Sequence, residues 1–231
     1  MFVTARASRL AATTALALLA VAGCSSDDEP APEPTGLVDV TTMRGALLQA
    51  AEIGPTWQPP AQSADPGKLV SLCGGTSAAP TVPPGGEVVA SSFVDEGKNG
   101  AQTLDQTALV YGDVTLATAA HTALRAIADS CPPSVSVPAT VNDDKSEPGY
   151  TEKIEIKTLD EAGWKGFVVI RHKTYEKAHP GAADTAVAIL NSRNVVLVDQ
   201  YALYRLGTSS AASNFDADWQ KLVGTVVQRV G

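Results

Sequence analysis

Val195-Val196-Leu197-Val198 constrains this chain more than any other stretch. Side chains alternate across a strand, so a strand wet on one face cannot carry four apolar residues in a row. The run therefore predicts an interior strand, covered on both faces, over Val195 to Leu206. Asp184 to Leu190 precedes it across a four-residue turn, Asn191-Ser192-Arg193-Asn194, and pairs with it. The fold must then place a sheet between two layers of other material.

The other elements are consistent with that frame. Glu87 to Val94 and Ala101 to Tyr111 read as strands joined by the turn Gly97-Lys98-Asn99-Gly100. Thr151 to Thr158 sets Lys153, Glu155 and Lys157 against Ile154 and Ile156, a strand with one wet face, and Trp164 to Lys173 follows it. Three helices are expected. The first is capped by Asp39 or Thr41, with Met43, Leu47, Leu48 and Ala51 on one face, and Gly54-Pro55 ends it. The second starts at Asp113 and buries Leu116, Ala120, Leu124 and Ile127, and Cys131-Pro132-Pro133 stops it. The third spans about Asn214 to Arg229 on a stripe of Phe215, Trp219, Leu222, Val226 and Val230, flanked by Val223 and Val227. Trp57 to Gly86 and Ser134 to Gly149 read as irregular segments. Short turns between successive strands favour antiparallel pairing. The expectation is one α+β domain over 37–231: six strands, largely antiparallel, with three helices packed on them.

The N-terminus has another character. Met1 to Arg9 holds two arginines and no acid, and Leu10 to Ala22 is an apolar or small stretch of 13 residues. A membrane-spanning helix needs about 20. The pattern is that of a secretory signal over 1–23. Its end, Leu19-Ala20-Val21-Ala22-Gly23-Cys24, resembles a bacterial lipobox. That resemblance implies a diacylglyceryl group on the Cys24 thiol and cleavage before it, hence attachment to membrane lipid on the extracytoplasmic face. Two acyl chains suffice for stable attachment where one does not. Residues 24–36 continue as an acidic, Pro-rich tether, SSDDEPAPEPTG after the cysteine, with too little apolar surface to fold.

With Cys24 lipidated, Cys73 and Cys131 remain, 58 residues apart, and an oxidising compartment favours a disulfide between them. A catalytic thiol would need a base and an exposed thiolate, and no local signature supplies them. Two cysteines with only His121 near do not make zinc spacing.

Removing the signal leaves 208 residues with 15 basic and 25 acidic groups. That charge repels phosphate backbones and excludes nucleic acid as a natural partner. The chain has no G-x-S-x-G, S-x-x-K, H-E-x-x-H or phosphate-cradling glycine loop. No catalytic residue, metal site or cofactor is indicated; His121, His172 and His179 read as structural, and Asn142 to Glu147 as a solvated acidic turn. Two features point to binding. Asp199-Gln200 interrupts the apolar interior strand, so the pair marks a bulge or edge, or faces a cavity. Trp57 and Trp164 sit at element ends, where they cap the core or line a pocket mouth.

Taken in order, the Ile53-Gly54-Pro55-Thr56-Trp57 segment, the cysteine pair, the Arg193 to Val198 strand and the Trp-bearing last helix resemble actinobacterial envelope lipoproteins related to the extracellular sensor domain of the mycobacterial kinase PknH. The resemblance implies a sheet-and-helix domain with a cleft, held at the envelope and sensing a ligand. The kinase member has two disulfides where this chain has residues for one. At fold level alone the chain is also similar to PsbP-like lipoproteins. The expected function is a non-catalytic ligand-binding or sensor-like module with an unknown small ligand. The alternatives are an assembly lipoprotein that binds an envelope protein through an exposed apolar patch, and an envelope hydrolase with His121 or His172 beside a Ser or carboxylate.

Overall fold

A computed structural model describes residues 36–231 apart from 63–64, 66, 98–99, 143–144, 177–178 and 208–213. The signal, Cys24 and nearly all of the tether lie outside the described residues, as do Lys98-Asn99 and Asp143-Asp144. Among the described residues no helix is long and apolar enough to cross a membrane.

The chain opens with two short helices, α1 (Val40–Ala46) and α2 (Ala50–Ile53). A hairpin of β1 (Gly86–Gly97) and β2 (Gly100–Tyr111) follows, then α3 (Val114–Asp129). Three short strands come next: β3 (Ser134–Val137), β4 (Thr140–Asn142) and β5 (Lys145–Glu147). A meander of β6 (Tyr150–Glu161), β7 (Trp164–Tyr175), β8 (Gly181–Ser192) and β9 (Val195–Leu206) leads to α4 (Phe215–Val230). Seven strands form one antiparallel sheet in the order β1-β2-β9-β8-β7-β6-β3, and β4 and β5 pair separately. After the first hairpin the chain crosses through α3 to the far edge. It then returns strand by strand until β9 closes against β2.

All six expected strands are present. The sheet gains β3, and the Ser134–Gly149 segment, expected to be irregular, also supplies the β4–β5 pair. Strand β9 is interior. Val195 and Leu197 pack with α1 and α4, and Val196 and Val198 pack with α3 on the opposite face. The four-residue turn before it tightens to Arg193-Asn194, with Ser192 and Val195 paired and Arg193 at φ 52°.

Asn194 closes that turn into the rest of the fold. Its buried side chain accepts from the Val38 amide at 2.7 Å and donates to the carbonyls of Val38 at 2.9 Å and Tyr111 at 2.6 Å. Arg193 donates to the carbonyls of Gly36 and Val230, so both ends of the domain are tied at one hairpin.

Two helical expectations change. The first helix divides. Asp39 caps α1 by accepting from the Thr42 amide at 2.9 Å, but Leu47 turns extended and the Leu48 amide donates to Gln106 Oε1 at 2.9 Å. Ala51 consequently points to solvent, while Met43, Ala46, Leu47 and Leu48 are buried. On α3 the buried stripe is Ala117, Ala120, Leu124 and Ala128, with Leu116 and Ile127 exposed. Small alanines let the helix axis approach the sheet, and the larger residues flank that line of closest approach. Asp113 caps α3 through the Leu116 amide at 2.8 Å. The α4 stripe is as expected except that Leu222 is only half-buried.

The disulfide joins Cys73 to Cys131 just past the end of α3, with Cα atoms 5.0 Å apart. It fixes the irregular segment over one face of the sheet. Glu152 holds the same segment. Its buried carboxylate accepts from the Gly75 amide at 2.8 Å and lies 3.5 Å from Arg171. Gly74 adopts φ +63°, and a Cβ there would fall 2.4 Å from a Glu152 oxygen, so any side chain would be strained and would have to displace Glu152.

Six strands of 12 residues run about 40 Å, whereas a 16-residue helix runs about 24 Å. Neither α3 nor α4 can cover the whole length of the sheet. The uncovered ends become clefts.

Candidate functional site

Asp-Gln occurs in β2 as Asp105-Gln106 and in β9 as Asp199-Gln200. The two strands pair antiparallel, with Asp105 opposite Gln200 and Gln106 opposite Asp199. Each face of the sheet therefore receives one carboxyl and one amide, side by side. Register is continuous through Asp199 and Gln200 on both sides of β9, so the interruption marks neither a bulge nor an edge.

On the α1–α4 face, Gln106 Nε2 donates to Asp199 Oδ2 at 2.5 Å while Gln106 Oε1 accepts from Leu48. The relay runs from an interior carboxyl to the break between α1 and α2. Asp199 is 2 % exposed. Burial pushes its carboxyl up to about 7, opposed by the Gln106 amide and reinforced by the charge of Asp105. On the opposite face, Gln200 Nε2 donates to Asp105 Oδ2 at 3.2 Å, and the neighbouring Ser92 hydroxyl favours the ionised carboxylate. Burial nevertheless holds Asp105 above the usual carboxylate range.

Asp105 lies in the floor of a cleft of about 510 Å³. Strands β1 and β2 form its base with Val88, Ala90, Ser92 and Thr107. Its roof is the irregular segment, through Pro59, Pro60, Leu69 and Val70, with Asp65 and Lys68 among the polar groups. The roof is fixed at two points. Gln58 bridges to Val94 with hydrogen bonds of 2.9 and 2.8 Å, and Lys68 bridges to Thr81. An apolar enclosure with a few converging polar groups, one of them a perturbed acid, has the properties of a ligand site.

The four residues expected to touch a ligand do not converge. Asp199 faces away from this cleft, and Gln200 reaches it only by holding Asp105. Trp57 lines a separate cleft of about 220 Å³ on the α4 side, with Leu48, Ile53, Gln102, Tyr201 and Leu222. There the Tyr201 hydroxyl donates to Gln102 Oε1 at 2.7 Å. Trp164 is 1 % exposed, packs in the α1–α4 core and borders a hollow beside Arg193 and Gly231. Asp105, Ser92 and Lys68 were missed by sequence reasoning. For Asp105 the one signal was the repeated Asp-Gln dipeptide, which in β2 sits among other polar residues and so does not stand out as Asp199-Gln200 does in β9.

The histidines stay apart. His121 lies against Phe167 at 5.5 Å, where burial lowers its pKa, and His179 lies tilted against Tyr175 with ring centroids 4.5 Å apart. His172 Nδ1 sits 2.8 Å from Asp184 Oδ1, the one pairing the hydrolase alternative asked for. Arg205 shares that carboxylate, and neither His172 nor Asp184 lines either cleft described above.

No family model matches the chain, and no curated protein matches it. Among solved structures it is similar to the crystal structure of the extracellular domain of PknH from Mycobacterium tuberculosis. The TM-score is 0.53 at 16% identity, over 85% of this chain and 98% of that one. The likeness is one of fold, and it supports the PknH-like side of the resemblance; the PsbP-like side gains no support.

Proposed function

We propose that this chain is a lipid-anchored, extracytoplasmic module that binds a small ligand and performs no chemistry on it. The observation that carries this reading is the cleft over β1 and β2, whose described lining combines apolar side chains with a half-buried carboxylate. The PknH-like fold supports a sensor-like role, and the Leu19 to Cys24 sequence supports the anchor. The experiment is a thermal-shift screen of metabolites on the mature chain and on Ala90→Trp, which fills the cleft from its base. Stabilising compounds should act on the wild type and not on the variant. Equal shifts in both would refute the site. The anchor has its own test: Cys24→Ser should move the protein from the membrane to the aqueous fraction of a detergent phase partition, and unchanged partition would refute lipidation.

A second reading has one observation in its favour. Leu116, Ala119, Ala123 and Ile127 recur at helical spacing on the exposed side of α3, an apolar stripe suited to an envelope protein. Leu116→Glu with Ile127→Lys should abolish recovery of any partner that binds there.

A further inference from the structure

We infer that the cleft over β1 and β2 takes a cationic amphiphile, an ammonium group joined to an apolar chain or ring, with the ammonium seated on Asp105. The inference rests on the ligand-binding reading above and names the chemical class of the ligand.

Four observations lead to it. First, Asp105 is a half-buried carboxylate in the cleft floor, and the donors beside it, the Gln200 amide and the Ser92 hydroxyl, are both neutral. None of the ion pairs among the described residues includes it. A carboxylate has about four acceptor positions, and these two donors leave room for more. A buried charge is stabilised most by an opposite charge that also donates hydrogen bonds.

Second, the field favours a cation. Asp65 and Lys68 are the charged residues of the roof and offset one another, which leaves Asp105 as the uncompensated charge of the described lining. An anion would meet two carboxyl groups and one amine. Third, the rest of the lining offers hydrocarbon: Pro59, Leu69, Val70 and Val88 surround the volume beside Asp105. An inorganic cation would leave that surface facing water, whereas an alkyl or aryl body would fill it. Fourth, about 510 Å³ is the size of a site for a whole small molecule rather than a single ion.

The test is calorimetric titration of the mature chain with n-octylammonium, n-octanol and n-octanoate, each also followed by NMR shifts of Val70 and Val88. Octylammonium should bind at least tenfold more tightly than octanol, with octanoate weakest. Shortening the amine by one methylene should weaken it about fourfold. Asp105→Asn keeps the shape and the acceptor for Gln200, so it should bring octylammonium down to the affinity of octanol while octanol itself is unchanged. Retained octanol binding shows that the variant is folded. Asp65→Asn should weaken the amine by less than threefold. If octanol shifts Val70 and Val88 but matches or exceeds the amine, the cleft stands as a site and the amine class falls. If Asp105→Asn leaves the amine affinity unchanged, the class falls as well. If none of the three binds, both this inference and the ligand-binding reading fall.

Discussion

Replacing Asp199 by asparagine should change how stability depends on pH, and the direction follows from where the residue sits. Burial raises its carboxyl from 3.8 to about 7 in the folded state. A raised folded pKa means that the native state holds the proton more tightly than the unfolded chain. Stability from this group is therefore full below about pH 4, falls as pH rises, and levels off above about pH 7. A tenfold gain in proton affinity on folding corresponds to about 1.4 kcal/mol, so ionised Asp199 costs the fold up to about 4 kcal/mol at pH 8. Asparagine cannot ionise and keeps an acceptor for Gln106 Nε2. Its NH₂ adds a buried donor, which costs about 1–3 kcal/mol where no partner is found. Asp199→Asn should then be less stable than wild type at pH 4 and more stable by about 1–3 kcal/mol at pH 8. Urea unfolding with the disulfide intact, at half-unit steps of pH, measures the two curves. They should cross between pH 4 and 8. Curves that run parallel would refute the argument that Asp199 is held protonated by burial. Asp105 is also raised and contributes the same sign of dependence to both proteins, so it largely cancels in the difference.

Other consequences follow from the same structure. Removing the disulfide with Cys73→Ala and Cys131→Ala frees a loop of 58 residues and should cost about 2–4 kcal/mol in urea unfolding; an unchanged midpoint would contradict its role in fixing the cleft roof. Asn194→Ala deletes three hydrogen bonds and leaves the Val38 amide and the Val38 and Tyr111 carbonyls without their side-chain partner, so it should cost about 3 kcal/mol and expose the Val38 amide to faster hydrogen exchange, while the Tyr111 amide keeps its bond to the backbone carbonyl of residue 194. Gly74→Ala should displace Glu152 and lower the unfolding midpoint, whereas Gly85→Ala, at φ +90° with open space around it, should cost only the local backbone strain.

The long strands were legible because alternation and the apolar run over Val195–Val198 are local signals that tertiary packing reinforces. What escaped was decided between segments. The helix break at Leu47 is imposed by Gln106, a residue 58 positions beyond Leu48, whose amide it captures. Strand β3 alternates Ser134-Val135-Ser136-Val137, but four residues between Pro133 and Pro138 are too few to distinguish from a loop. On α3 the sequence offers two apolar stripes, and only the closeness of helix to sheet selects the one rich in alanine. At the candidate site, Asp199 and Gln200 stand out because they break an apolar run, while Asp105 and Gln106 sit in a mixed strand and do not. Which carboxyl meets the cleft depends on the register between β2 and β9 and on side-chain parity. Neither can be read from one strand alone. Trp164 stands at an element end in sequence but is packed over by α4, so position along the chain did not report burial.

Native mass spectrometry of the mature chain, extracted from its own membrane without denaturation, tests the central claim most directly. The expected result is a small adduct on the wild-type protein that is lost from Ala90→Trp, with both proteins folded and both carrying lipid on Cys24. A wild-type protein that arrives free of any small molecule and takes up none from a cell extract, or an adduct held equally by Ala90→Trp, would contradict it.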